Sequence, residues 1–202
     1  MMSKLSSLAL IGLIAAAPAA AMAQAADPAT PTIDAFDSAL IEVMKQGKSL
    51  GAQGRYSKLI PAVEQTFDLP TMTRFAVGTS WASASASDQA ALVKAFTRLT
   101  AANFAHNFNG YGGEQFKINP AVQTRGVDKL VRTQIIDKGG KATDLNYRMR
   151  QSGGRWKVID VYFGAISQLT AQRSDFAATV SSGGASALVA KMNTKADSLL
   201  KG

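Results

Sequence analysis

The sequence contains no cysteine. That excludes disulfides, thiolate metal sites, a cysteine nucleophile and a lipid anchored on a cleavage-site cysteine. There is a single histidine, His106, whereas a zinc site needs three or four His, Cys or carboxylate ligands. No Gly-x-Ser-x-Gly elbow occurs, and no Ser–His–Asp set is suggested by spacing. Gly110-Tyr111-Gly112-Gly113 lacks the Lys-Ser/Thr of a phosphate loop and follows a helical pattern instead of opening one, so it reads as a helix stop. No cofactor is expected. Charge is not clustered either. Lys and Arg number 22 against 14 Asp and Glu, a net charge of +8, without a polybasic run or an aromatic-interleaved basic strand. A nucleic-acid partner is therefore not expected. An anionic membrane or head group and a plain solvated surface both fit the excess of positive charge.

What is present begins with an export pattern. Lys4 precedes an apolar stretch from Leu8 to Ala21, and Ala21-Met22-Ala23 is the small-x-small site of signal peptidase. The apolar stretch is shorter than the ~20 residues that span a bilayer. Residues 1–23 are expected to be a cleaved signal peptide and residues 24–202 a single domain in the periplasm, with 24–31 a flexible leader.

Periodicity then divides the chain. Ile33, Phe36, Leu40, Val43 and Met44 recur at helical spacing. A second helix is expected from Tyr56 to Phe67 with Pro61 at a break, and a short third one after Asp68-Leu69-Pro70, ended by Gly78. Ser87-Asp88 is placed as the N-cap of a long helix carrying Leu92, Val93, Phe96, Leu99, Phe104 and Phe108. From Glu114 the period changes to two. Strands are expected at 114–123, 128–137, 142–151 and 155–163, with turns at Gly139-Gly140 and Gly153-Gly154. Two helices close the chain, 165–181 and 184–200. The predicted fold is α+β: a four-stranded antiparallel meander with N- and C-terminal helices packed on one face.

Asp160 lies mid-strand in Trp156-Lys157-Val158-Ile159-Asp160-Val161. Strict alternation places it with Trp156, Val158 and Tyr162 on one face. It reads either as a general base in an apolar setting or, preferred, as half of an ion pair with Arg148 or Arg150.

Three segments resemble the MlaC family, also called toluene-tolerance or ABC-transporter auxiliary proteins. They are Phe67-Asp68-Leu69 with Met72-Thr73-Arg74-Phe75-Ala76-Val77-Gly78 and Trp81; the 89–108 helix with Ala95-Phe96 and Phe104; and Tyr147-Arg148-Met149 through Trp156-Lys157-Val158, Asp160-Val161, Gly164, Ser167, Arg173 and Phe176. The likeness is greatest to the hopanoid-associated, HpnM-like branch. The resemblance implies a sheet-and-helix fold related to nuclear transport factor, an apolar pocket, no catalysis, and a lipid passed between an inner-membrane transporter complex and possibly an outer-membrane one.

A diacyl lipid exposes about 30 methylenes, and at ~0.8 kcal/mol each their burial is worth on the order of 25 kcal/mol. Such a pocket is expected near the upper end of the usual ~300–1,000 Å³. Following the resemblance, its lining is assigned to Phe75, Val77, Phe96, Leu99 and Phe104 from helices and to Leu145, Tyr147 and Met149 from one strand face. Val158 with Tyr162, or Val161 with Phe163, supplies a second strand, and Ile166 and Leu169 the closing helix. All of these equally suit a packed core. Arg74, Arg98 and Arg173 are the candidates for head-group or partner contact, with Arg74 alternatively buried against Asp68. The rival function is an enzyme on the same frame, with Asp160 or Tyr147 as acid–base residue. A third is a protein-binding adaptor with a solid core.

Overall fold

The computed structural model describes residues 26–201, so the expected signal peptide lies outside the described residues. Among those described, no helix is long and apolar enough to cross a membrane.

The described residues open with four α-helices: α1 (Thr30–Lys45), α2 (Gly47–Thr66), α3 (Leu69–Val77) and α4 (Ala86–Asn107). Helix α2 starts earlier than periodicity predicts, kinks at Gly51 and runs through Pro61 without a break. Its buried Arg55 donates to the carbonyls of Ala105 (2.7 Å) and Gly47 (2.9 Å). Those bonds tie the end of α4 to the start of α2. The first satisfies one of the carbonyls that the end of α4 leaves open. A side chain on Gly47 would collide with the Asn109 carbonyl, so the close approach requires glycine there. Asp68 caps α3 by accepting from the Thr71 N–H. The cap of α4 is Ser85, which accepts from the Asp88 N–H, two residues before the expected Ser87.

The sheet has seven strands, not four: β1 (Gln115–Ile118), β2 (Gln123–Arg125), β3 (Asp128–Val131), β4 (Thr133–Ile136), β5 (Ala142–Ser152), β6 (Arg155–Phe163) and β7 (Ile166–Ser167). Two of the predicted strands are each broken into two, and β7 is additional. The first break holds Pro120, which has no N–H to give the ladder. Continuing the β1–β4 register, in which Ile118 faces Thr133, would set Gln123 opposite Asp128; it faces Leu130. The second break is at Arg132. There the Thr133 N–H is taken by the Asn146 side chain and the Thr133 hydroxyl by the Leu145 carbonyl, in place of backbone pairing. Both halves still share the same edge of β5, which carries β6 on its other edge. The Gly153–Gly154 turn joins Ser152 to Arg155, and both glycines have positive φ, as a two-residue hairpin with right-handed twist demands.

Helix α5 (Gln168–Lys201) closes the structure and bends at Gly184, whose φ of 65° interrupts the helical dihedrals where the sequence signalled a division. Tyr147 and Met149 on β5 and Val158 on β6 are fully buried, packed against Phe36, Phe67, Leu99 and Phe176 from the helical side. Phe36 meets Phe67 and Phe104 edge-on at 5.1 and 5.0 Å between ring centres. On the other face of the sheet, Arg148 and Arg150 enclose Asp128, with Nε to carboxylate distances of 2.7 and 2.6 Å. Burial alone would push the Asp128 carboxyl up, but the two guanidiniums hold it below the usual range.

Candidate functional site

A cavity of about 360 Å³ opens between the sheet and the helices. Leu145 of β5 and Val161 and Phe163 of β6 form its sheet side. Phe67, Met72, Phe104 and Phe108 line the wall from the helical side, and Leu169 from the first turn of α5. Its polar lining comes from Asn103 and Asn107 on α4 and from Gln168, Gln172, Asp175 and Lys195 on α5. Asp175 is held below the usual carboxylate range, first by its hydrogen bond from Lys191. Thr100 also lines the cavity. Its buried hydroxyl finds no partner among the described residues, whereas Thr73 and Thr97 bond the carbonyls four residues back.

A β-bulge at Ile159 makes the sheet side possible. Met149 faces Val158 while Arg148 faces Asp160, so Ile159 is an extra residue in β6. Val158 and Val161, three apart, both enter the helix-side core, which strict alternation forbids. The sequence reading set these two valines as alternatives; the bulge makes them neighbours on one face. Their surroundings differ: Val158 is sealed in the packed core and Val161 borders open space.

The family profile described as MlaC protein matches residues 34–194. The chain belongs to the MlaC family. Its structure is similar to that of a phospholipid-binding protein from Ralstonia solanacearum in complex with a phospholipid, with a TM-score of 0.71. The two share 22% identity over 86% of this chain and 99% of that one, a likeness of fold. No curated protein matches the sequence.

Within this MlaC-family frame the cavity collects Phe104, Leu145, Val161, Phe163 and Leu169 of the expected lining. Val77, Phe96, Leu99, Tyr147, Met149 and Val158 are buried in the packed core instead. Phe75 and Ile166 are exposed, at 44% and 64%. Phe67, Met72 and Phe108 join the wall without having been assigned to it. The volume is near the lower end of the usual ~300–1,000 Å³, not the upper.

The three arginines do not line the cavity. Arg98 is bound to Asp197 and Asn193. Arg173 lies over the Phe75 ring, 5.1 Å from its centre. Arg74 is exposed and not buried against Asp68, which caps α3. Lys195 takes the position by the cavity that was expected of them.

Asp160 is buried but does not pair with Arg148 or Arg150, because Asp128 holds both. It accepts instead from the Ser167 hydroxyl (2.6 Å) and the Leu169 N–H (3.2 Å), so the carboxylate sits at the positive end of α5. Neither Asp160 nor Tyr147 lines the cavity. Asp160→Asn keeps one acceptor and loses the charge. It is expected to lower stability by about 1–2 kcal/mol, read as a fall of several degrees in Tm, while leaving the bound-lipid content unchanged. Lost lipid with an unchanged Tm would instead place Asp160 in the binding site.

Tyr147 reaches through the core to α1, where its hydroxyl donates to Asp37 at 3.4 Å. The second Asp37 oxygen is buried and finds no partner among the described residues. Burial pushes the Asp37 carboxyl up to about 8, and the Tyr147 hydroxyl also rises. Asp37 lies four residues after Ile33 and three before Leu40, so helical spacing already sets it on the core face of α1; its partner Tyr147 becomes visible only once β5 is placed against that helix.

Proposed function

We propose that this chain is a periplasmic carrier, freed of a signal peptide at residues 1–23, that sheathes the tails of a phospholipid or hopanoid-type lipid and does no catalysis. The observation that carries the reading is the apolar cavity between sheet and helices, with its amides, Asp175 and Lys195 on α5 and α4, in a member of the MlaC family. The similar Ralstonia protein, with a phospholipid bound, supports the choice of cargo. The helices pack against a sheet of the nuclear-transport-factor type in this reading. Phe104, Leu145, Val161, Phe163 and Leu169 contact acyl chains, and Lys195 stands near the phosphate. A two-chain lipid needs more room than about 360 Å³ offers, so loading displaces α5 from α3 and the sheet. The partners are an inner-membrane transporter complex and an outer-membrane one, between which the cargo is exchanged.

Protein purified from its own host under native conditions is expected to release phospholipid or hopanoid on solvent extraction. Mass spectrometry of the intact protein should show the matching mass increment. Protein that carries no lipid and takes up none from vesicles would overturn the reading.

A further inference from the structure

The large apolar side chains exposed among the described residues are Phe75, Tyr111, Val127, Phe163 and Ile166. Three of the five gather at the mouth of the cavity. Phe163 lines it and faces Ile166 across the β6–β7 turn. Ile166 lies two residues before the start of α5, whose Gln168, Ala171 and Gln172 also line it. Phe75 stands on α3, one turn beyond the lining residue Met72, and is covered on one side by Arg173, the neighbour of Gln172. Such a grouping is not what scattered surface apolar residues produce.

The charges around it that lack a partner are positive. Arg74 and Arg173 form no ion pair among the described residues. The Arg173 guanidinium lies against the bare backbone of Gly78, where an added Cβ would sit 3.4 Å from it. A guanidinium on a ring face keeps its donors free for an anion. Of the nearby carboxylates, Asp175 is already shared by Lys191 at 3.0 Å and Lys195 at 3.6 Å, and Asp144, beside Leu145, accepts from the Gln134 amide at 3.0 Å. Exposed Phe and Ile beside unpaired arginines match a bilayer interface, where apolar side chains enter the head-group layer and guanidiniums meet phosphates.

We propose that the cavity mouth is a membrane-docking face: Phe75, Phe163 and Ile166 enter the interface of an anionic phospholipid bilayer while Arg74 and Arg173 bind its phosphates. The surface goes beyond the carrier reading and does not depend on what the cavity holds. It would set the opening directly against the lipid surface.

The test is co-sedimentation of the full mature chain with vesicles of phosphatidylcholine alone and of phosphatidylcholine mixed with phosphatidylglycerol. Binding is expected to the mixed vesicles, to weaken as salt screens the charges, and to fall by about fivefold or more in the double variant Arg74→Glu, Ile166→Glu. Neither substituted residue lines the cavity, so the variant should keep the wild-type Tm and its uptake of a short-chain phosphatidylglycerol dissolved below its micelle concentration. Failure of that uptake in the wild type would count against the carrier reading and not against docking. Wild-type protein left in the supernatant with the mixed vesicles would overturn the docking face, as would a folded double variant that sediments like wild type.

Discussion

Replacing Val161 by tryptophan is expected to empty the protein of lipid while leaving it folded. Val161 is on β6 at the edge of open space, so the larger ring has a volume of about 360 Å³ to enter. Trp suits a strand, and its position there is fixed by the backbone. Bound lipid per protein should fall to about a tenth of wild type or less, since the displaced contacts need amount to only ~1.4 kcal/mol for that factor. The companion change, Val158→Trp, is three residues away on the same face, where no space exists. It should cost about 1–3 kcal/mol or more through overpacking and lower Tm by several degrees. The pair distinguishes a hollow interior at one position from a solid one at the next. If both variants lose stability equally and Val161→Trp still carries lipid, the cavity is not the binding site.

Asp37→Asn is expected to stabilise the protein at neutral pH and to flatten its dependence on pH. An aspartate in the unfolded chain titrates near 3.9, and burial raises the folded value to about 8. The folded state therefore holds a proton that the unfolded state has released throughout that interval. Stability is greatest below about pH 4 as far as this group is concerned. It declines by on the order of 1 kcal/mol per pH unit as the pH rises, levelling off above about pH 8. Near pH 7 the accumulated loss is roughly 3–4 kcal/mol. Asparagine is neutral throughout and still accepts from the Tyr147 hydroxyl. Denaturant melts of both proteins at several pH values between the two titration points, near 3.9 and about 8, measure the effect. Parallel slopes for the two would show that Asp37 is ionised in the folded state. Asp34 precedes Asp37 by one helical turn and opposes its ionisation further.

The two predictions concern neighbouring positions on one face of a strand pair, where Tyr147 stands opposite Val161. β5 and β6 supply Leu145, Val161 and Phe163 to the cavity, and β5 also sends Tyr147 to α1. Filling the cavity should affect the cargo with a modest change in stability. Neutralising Asp37 should affect stability without changing the cargo.

Much of the architecture was legible in the residues. The switch from helical to alternating period at Glu114, the paired glycines at 153–154 and the division of the last helix at Gly184 are local signals. Backbone conformation at such positions is limited by the residue itself. The strand breaks were partly legible. Pro120 announces one, but the other depends on Asn146 replacing a backbone acceptor from the neighbouring strand. Pro61 misled in the opposite direction: α2 continues through it because packing on α4 and α1 outweighs one missing hydrogen bond.

By itself the sequence determined the class of molecule: an α+β domain of the MlaC family without the cysteines or histidines that metal or thiol chemistry needs. Which apolar residues are core and which face empty space was decided only by the tertiary structure. Periodicity reports the side of an element on which a residue lies, and Val158 and Val161 have the same side. What lies opposite each one is set by the Ile159 bulge and by where α3, α4 and α5 cross the sheet. The partner of a charge is non-local in the same way: Arg148 faces Asp160 in register, yet it binds Asp128 of β3, while Asp160 turns to the Ser167 hydroxyl and the Leu169 N–H at the start of α5.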